Sequence, residues 1–81
     1  MIKDRYYYEM MTFIENELKV KNIDNALDEK TKKFFANSCM FISDVYNIIN
    51  MLVLYLEANS CSKISFTDFQ MMLIDYGLIY K

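Results

Sequence analysis

Residues 29–57 restrict the fold of this chain more than any other stretch. They contain neither proline nor glycine, so no residue among them forces a helix to end. A continuous helix of this length would span about 40 Å. From Val45 to Leu56, apolar side chains point in almost every direction around the helix axis, and such a helix has to be covered on several sides. We therefore predict one long central helix, residues 28–58, and we expect the rest of this 81-residue chain to be too small to cover it.

A shorter helix is predicted on each side of the central one. Over residues 3–18, apolar side chains recur at the spacing of one helix face, namely Tyr7, Met10, Met11, Ile14 and Leu18. Over residues 66–76, a second such face carries Phe69, Met72, Leu73 and Tyr76. The chain is therefore predicted to be one all-α domain, residues 1–81, with the order helix, loop, long helix, loop, helix.

Polar residues and one glycine mark the predicted helix ends. Asp28 is placed as the N-cap of the central helix. Asn59 is expected to end that helix, because asparagine tolerates the left-handed conformation. Ser65 followed by Asp68 matches the capping box that opens a helix. Gly77, the only glycine, stands where a left-handed cap of the third helix is expected.

Composition indicates a small domain with more apolar surface than it can hide. Eighty-one residues make one domain at most, and 54% of them are hydrophobic. Domains of this size are marginally stable unless they are stapled or assembled, so the excess predicts a protein partner. The net charge is −2 and Arg5 is the only arginine, so we expect no direct binding to nucleic acid.

The sequence predicts no zinc site, no membrane span and no cofactor. Cys39 and Cys61 are expected to be free, buried thiols in a reducing compartment, and without histidine they predict no zinc site. Asp44 lies in the middle of residues 34–56, the stretch long enough to cross a membrane. A charge there costs about 3 kcal/mol, so no membrane span is predicted. No cofactor is expected.

Catalysis is not predicted, and one helical alternative stays open. Histidine, the commonest general base, is absent, and so are the glycines of a phosphate-binding loop. Residues 57–68 can be aligned with a calcium-binding EF-hand loop, but Ser62 replaces its required glycine and most carboxylates are missing. The alternative function is thus an EF-hand-like or other small helical adaptor that binds a target helix without metal.

Two segments resemble a known family. The helix order resembles the histone fold, in which two chains cross their long central helices. The sequence Phe41-Ile42-Ser43-Asp44 resembles a stretch of the TFIID 30 kDa subunit family, histone-fold TBP-associated factors shared by TFIID and the SAGA coactivator. The sequence from Ile64 to Phe69, followed by Asp75-Tyr76-Gly77-Leu78, resembles the end of the same family.

The resemblance implies a non-catalytic subunit of a transcription complex in the nucleus. It would act by pairing with another histone-fold subunit of TFIID or SAGA, and the sequence does not decide between these complexes. A homodimer is the less favoured arrangement. The proposed partner interface consists of apolar residues from all three helices: Met10, Ile14, Phe34, Phe41, Val45, Ile48, Leu52, Tyr55, Phe69 and Leu73.

Overall fold

The computed structural model describes residues 5–75 and residue 77. This part of the chain contains four α-helices joined by loops: α1 Arg5–Val20, α2 Glu29–Ser38, α3 Ile42–Ala58 and α4 Phe66–Asp75. The predicted all-α class is therefore confirmed. Residues 3, 4 and 76, which the predicted first and third helices included, lie outside the described residues, as does Leu78 of the family resemblance.

The single helix predicted for residues 28–58 is wrong, because the chain interrupts it at residues 39–41. α2 ends at Ser38 and α3 begins at Ile42. Between them Cys39 has an extended backbone conformation, with φ −98° and ψ 133°. The interruption divides the central stretch into two shorter helices that can point in different directions.

The side chain of Asp44 supports this break. Its carboxylate accepts a hydrogen bond from the backbone N–H of Met40 at 2.9 Å and another from that of Phe41 at 3.0 Å. In a continuous helix these N–H groups would donate to carbonyls four residues earlier. Asp44 thus replaces the bonds that the break removes, from the third position of α3, where capping boxes place their acid.

Asn22 ends α1 in the left-handed conformation, with φ 59°. Its N–H donates to the Lys19 carbonyl at 3.0 Å, and the N–H of Ile23 donates to the Leu18 carbonyl at 2.9 Å. This pair of bonds is the Schellman motif, which satisfies the last carbonyls of a helix. α1 therefore continues to Val20, two residues beyond its predicted end.

α3 ends at Ala58 by the same motif, as predicted, with Asn59 as its C-cap, but the left-handed residue comes one position later than expected. Asn59 has φ −100°, whereas Ser60 takes the left-handed conformation with φ 50°. The N–H of Ser60 donates to the Glu57 carbonyl at 3.2 Å, and the N–H of Cys61 donates to the Leu56 carbonyl at 3.0 Å. The assignment of the left-handed position to Asn59 is therefore wrong.

Three further predicted helix caps, at Asp28, Ser65 and Gly77, are confirmed. The Asp28 carboxylate accepts a hydrogen bond from the N–H of Thr31 at 2.8 Å at the start of α2. The Ser65 hydroxyl accepts one from the N–H of Asp68 at 3.1 Å at the start of α4. Gly77 has φ 75°, the left-handed conformation expected after α4.

The expectation that the chain cannot cover its own centre is wrong. α1 packs against both α2 and α3, and α2 packs against α4. Phe35 of α2 meets Phe69 of α4 with 5.5 Å between ring centroids. The apolar core of the described residues consists of Met10, Ile14, Leu18, Ala26, Leu27, Phe35, Ala36, Cys39, Val45, Ile48, Ile49, Leu52, Leu56, Ile64, Phe69, Met72 and Leu73.

Candidate functional site

Most residues of the predicted partner interface lie inside the chain itself. The following seven belong to its core: Met10, Ile14, Val45, Ile48, Leu52, Phe69 and Leu73. Phe34 and Tyr55 are partly buried against that core. Phe41 alone among the ten is exposed, with 64% of its surface accessible. In this fold, Phe41 is therefore the most accessible of the ten predicted interface residues.

Phe41 belongs to a group of exposed apolar side chains at the α2–α3 break, which we call the break patch. The break patch consists of Tyr6, Met40, Phe41, Ile42 and Tyr46. Met40 is even more exposed than Phe41, at 72%. Large apolar side chains exposed together commonly mark a surface that binds another protein.

The break patch is held in place by contacts from two helices, α1 and α3. The hydroxyl of Tyr6 in α1 donates a hydrogen bond to the backbone carbonyl of Met40. The ring of Tyr46 in α3 packs edge-on against Phe13 of α1, with 5.5 Å between centroids. Together with the bonds to Asp44, these contacts place the patch on ordered backbone, so little ordering is needed when a partner binds.

A buried thiol lies next to the patch in the chain. Cys39 is a free cysteine in the core. Burial, with a smaller effect from the nearby Asp44 carboxylate, raises its pKa from 9.0 to about 12. A thiol that keeps its proton is a poor nucleophile and metal ligand, so Cys39 serves packing. Cys61 is free but exposed, so the prediction that both thiols are buried is wrong for it.

A second surface feature lies between α3 and α4. This groove of about 370 Å³ is lined by Met51 and Leu54 of α3 and by Met71 and Met72 of α4, with Asp68 and Asp75 beside them. We call it the methionine groove. The Tyr55 hydroxyl donates a hydrogen bond to the Asp68 carboxylate at 3.3 Å. Burial and the charge of Asp68 raise the pKa of Tyr55, which keeps the hydroxyl protonated for this bond.

Residues 5–75 and 77 contain neither a cluster of metal ligands nor a helix that could span a membrane. No group of three or more histidine, cysteine, aspartate or glutamate side chains there is placed to hold a metal ion. None of the helices in this part is both long enough and apolar enough to cross a membrane. The break patch and the methionine groove both contain large apolar side chains that are open to solvent.

Comparison with known proteins found no protein family, no curated protein and no solved structure that matches this chain. Sequence reasoning missed the exposed positions Met40, Ile42 and Tyr46, because it placed them within one helix. Asp44, three residues after Phe41, is the signal that could have revealed a second helix start.

Proposed function

We propose that this chain is a non-catalytic helical subunit that acts by binding another protein through the break patch. The observation that carries the proposal is the exposure of Met40 and Phe41 on ordered backbone. Aromatic residues and methionine are enriched in protein interfaces, and the patch contains three aromatic rings. Burial of such side chains supplies the free energy of association at about 25 cal/mol per Å² of apolar surface, before the costs of ordering.

The absence of histidine supports a binding role over a catalytic one. Catalytic groups are commonly shifted toward reactive pKa values by their surroundings. The buried thiol of Cys39 is shifted in the opposite direction, to about 12, and stays protonated. Its environment is that of a packed core residue.

The specific partner that we propose is another histone-fold subunit of a TFIID or SAGA type complex in the nucleus. The support for this partner is the resemblance carried by Phe41-Ile42-Ser43-Asp44 and by the segment from Ile64 to Phe69. A handshake between long helices requires residues 29–58 to run as one helix. Because that stretch has no proline or glycine, α2 and α3 can join when Asp44 releases the N–H groups of Met40 and Phe41.

Co-expression with histone-fold subunits of TFIID and SAGA, followed by co-purification, tests the proposal. The double variant Met40→Ser/Phe41→Ser removes the centre of the break patch and should lose the partner. Val20→Ser is the matched control, because Val20 is equally exposed, at 71%, but lies at the far end of α1. Co-purification of the double variant at the level of the unaltered chain would overturn the proposal.

Hydrogen exchange of the purified complex tests the handshake separately. In the free chain the amides of Met40 and Phe41 bond to the exposed carboxylate of Asp44 and should exchange rapidly. In a continuous helix both amides should become protected. If they still exchange rapidly in the complex, the partner binds the break patch without joining α2 and α3, and the histone-fold form of the proposal fails.

A further inference from the structure

We propose that the methionine groove is a second docking site, which binds an amphipathic helix of a partner protein whose apolar anchors are flanked by lysine or arginine. This inference is independent of the break patch, because it rests on different residues at the opposite end of α3. Met40, Phe41 and Ile42 lie at the start of α3, whereas Leu54 lies near its end.

The size and lining of the groove fit an apolar anchor. Its volume of about 370 Å³ lies within the range of about 300–1,000 Å³ that is typical of binding pockets. Leu54 is 61% exposed and Met71 is 44% exposed, so two apolar walls are open to solvent. Met72 is buried and provides an apolar floor. Methionine side chains are flexible and polarizable, so they adapt to the shape of an entering side chain.

The charge of the groove favours basic residues beside the apolar anchor of the partner helix. The charged residues that line the groove are Asp68 and Asp75, and both are acidic. Asp68 accepts one bond from Tyr55, which does not neutralise its charge. A basic side chain beside the anchor would meet opposite charge there, whereas an acidic one would be repelled. The same acidity disfavours nucleic acid as the occupant.

The groove also favours a helix over an extended strand. Its walls are α3 and α4, whose backbone groups are already bonded within the helices, so they offer no free edge to which a strand could add. A helix needs only an apolar face, with anchors three or four residues apart, to fill a groove between two helices.

Fluorescence anisotropy with a labelled model peptide tests the proposal on the full chain. The probe is an amphipathic helix of about 18 residues, with leucine and phenylalanine anchors flanked by lysines. A matched peptide replaces the lysines by glutamates. We expect saturable binding of the basic peptide that weakens as salt rises, and binding at least tenfold weaker for the acidic peptide.

Variants locate the binding on the protein. Leu54→Ser should weaken binding of the basic peptide at least tenfold, and Leu54 is exposed, so the fold should survive. Asp68→Asn/Asp75→Asn should reduce the difference between the two peptides and flatten the salt dependence. The control Val20→Ser should bind as the unaltered chain does.

Four results would overturn the proposal. The first is the absence of saturable binding, and the second is equal binding by Leu54→Ser. The third result is a solution mass twice that of one chain, which decreases to that of one chain in Leu54→Ser. It would mean that a second copy of the chain occupies the groove. The fourth result is much tighter peptide binding by a variant truncated after Gly77 than by the full chain. It would mean that the last residues of the chain itself occupy the groove.

Discussion

α2 and α3 are each capped at the N-terminus by one aspartate, but the two aspartates lie at opposite ends of the first helical turn. Asp28 precedes α2 and accepts a hydrogen bond from the N–H of Thr31, three residues ahead. Asp44 lies inside α3 and accepts from the N–H of Phe41, three residues behind, and from that of Met40. Each arrangement is one half of a capping box.

The two starts differ in what surrounds them. Asp28 follows a polar loop and directly precedes a stretch without helix breakers, so its position in the sequence predicts that it is an N-cap. Asp44 stands within a stretch without proline or glycine, so no residue near it forces a helix to begin or end. In the fold α1 packs against both helices that flank this break, so long-range packing accompanies the local cap by Asp44. A cap inside a stretch without helix breakers is therefore harder to recognise from the sequence than a cap that follows a polar loop.

The largest expected effect comes from removing the packing that supports the break. Ile14 of α1 is fully buried, and α1 contacts both helices that flank the break. Ile14→Ala should lower the free energy of unfolding by about 2–5 kcal/mol, measured by chemical denaturation. The exposed control Val20→Ala should change it by less than about 0.5 kcal/mol. A loss below about 1 kcal/mol for Ile14→Ala would show that α1 does not hold the two helices together.

The next effect concerns the thiol at the break. With a thiol reagent at mildly alkaline pH, Cys61 should react at once and Cys39 at least roughly 100-fold more slowly, because the pKa of Cys39 is raised to about 12. The variant Cys61→Ser isolates the slow reaction. Similar rates for the two thiols would mean that the break opens freely.

The raised pKa of Cys39 also sets a direction for stability at high pH. The unfolded thiol ionises near its ordinary value of 9.0, whereas the folded one keeps its proton to about 12. The stabilisation is thus complete below pH 9 and is lost as pH rises from 9 toward 12. Cys39→Ala should remove this part of the alkaline loss, which the pH dependence of the denaturation midpoint would show.

A smaller effect is expected at the start of α3. Asp44→Ala removes the acceptor of two backbone N–H groups and should lower stability by about 1 kcal/mol. Asn47→Ala, an exposed change within the same helix, is the control and should be neutral or slightly stabilising. If Asp44→Ala instead keeps its stability and gains helical circular dichroism, residues 39–41 have become helical and Asp44 alone had held the break.

The smallest effect is expected at the start of α2, where Asp28 serves one backbone N–H. Hydrogen bonds from Thr31 hold the pKa of Asp28 below its ordinary value of 3.8. Its stabilisation is therefore present above about pH 4 and is lost as pH falls through the lowered pKa. Asp28→Ala should be less stable than the unaltered chain at neutral pH, and the difference should shrink in acid. A difference that persists unchanged at pH 2 would contradict this assignment.

Much of the local structure could be predicted from short-range chemistry. The apolar spacing of α1 correctly predicted burial of Met10, Ile14 and Leu18. The starts of α2 and α4 and the left-handed Gly77 were also predicted, because each depends on one or two neighbouring residues. By contrast, Ser60 replaced Asn59 as the left-handed residue, since a difference of one position costs little at a helix end.

The candidate site could not be predicted in the same way. Phe41 was identified as a contact residue, and it is exposed, but its neighbours Met40 and Tyr46 were not identified. Val45 and Ile48 were assigned to a partner, whereas the structure buries them in the chain's own core. Periodicity shows which helix faces must be covered, but it carries no information about which chain covers them.

By itself, the sequence determined that the described part of this protein is helical, where α2 and α4 begin, and that the face of α3 containing Val45, Ile48 and Leu52 must be buried. Only the tertiary structure decided that the central stretch breaks at residues 39–41 and that α1 helps to cover that face. The physical reason is that helix starts depend on hydrogen bonds between close neighbours. The break lies where α1 packs against both flanking helices, and contacts between residues far apart in the chain cannot be predicted from local preferences.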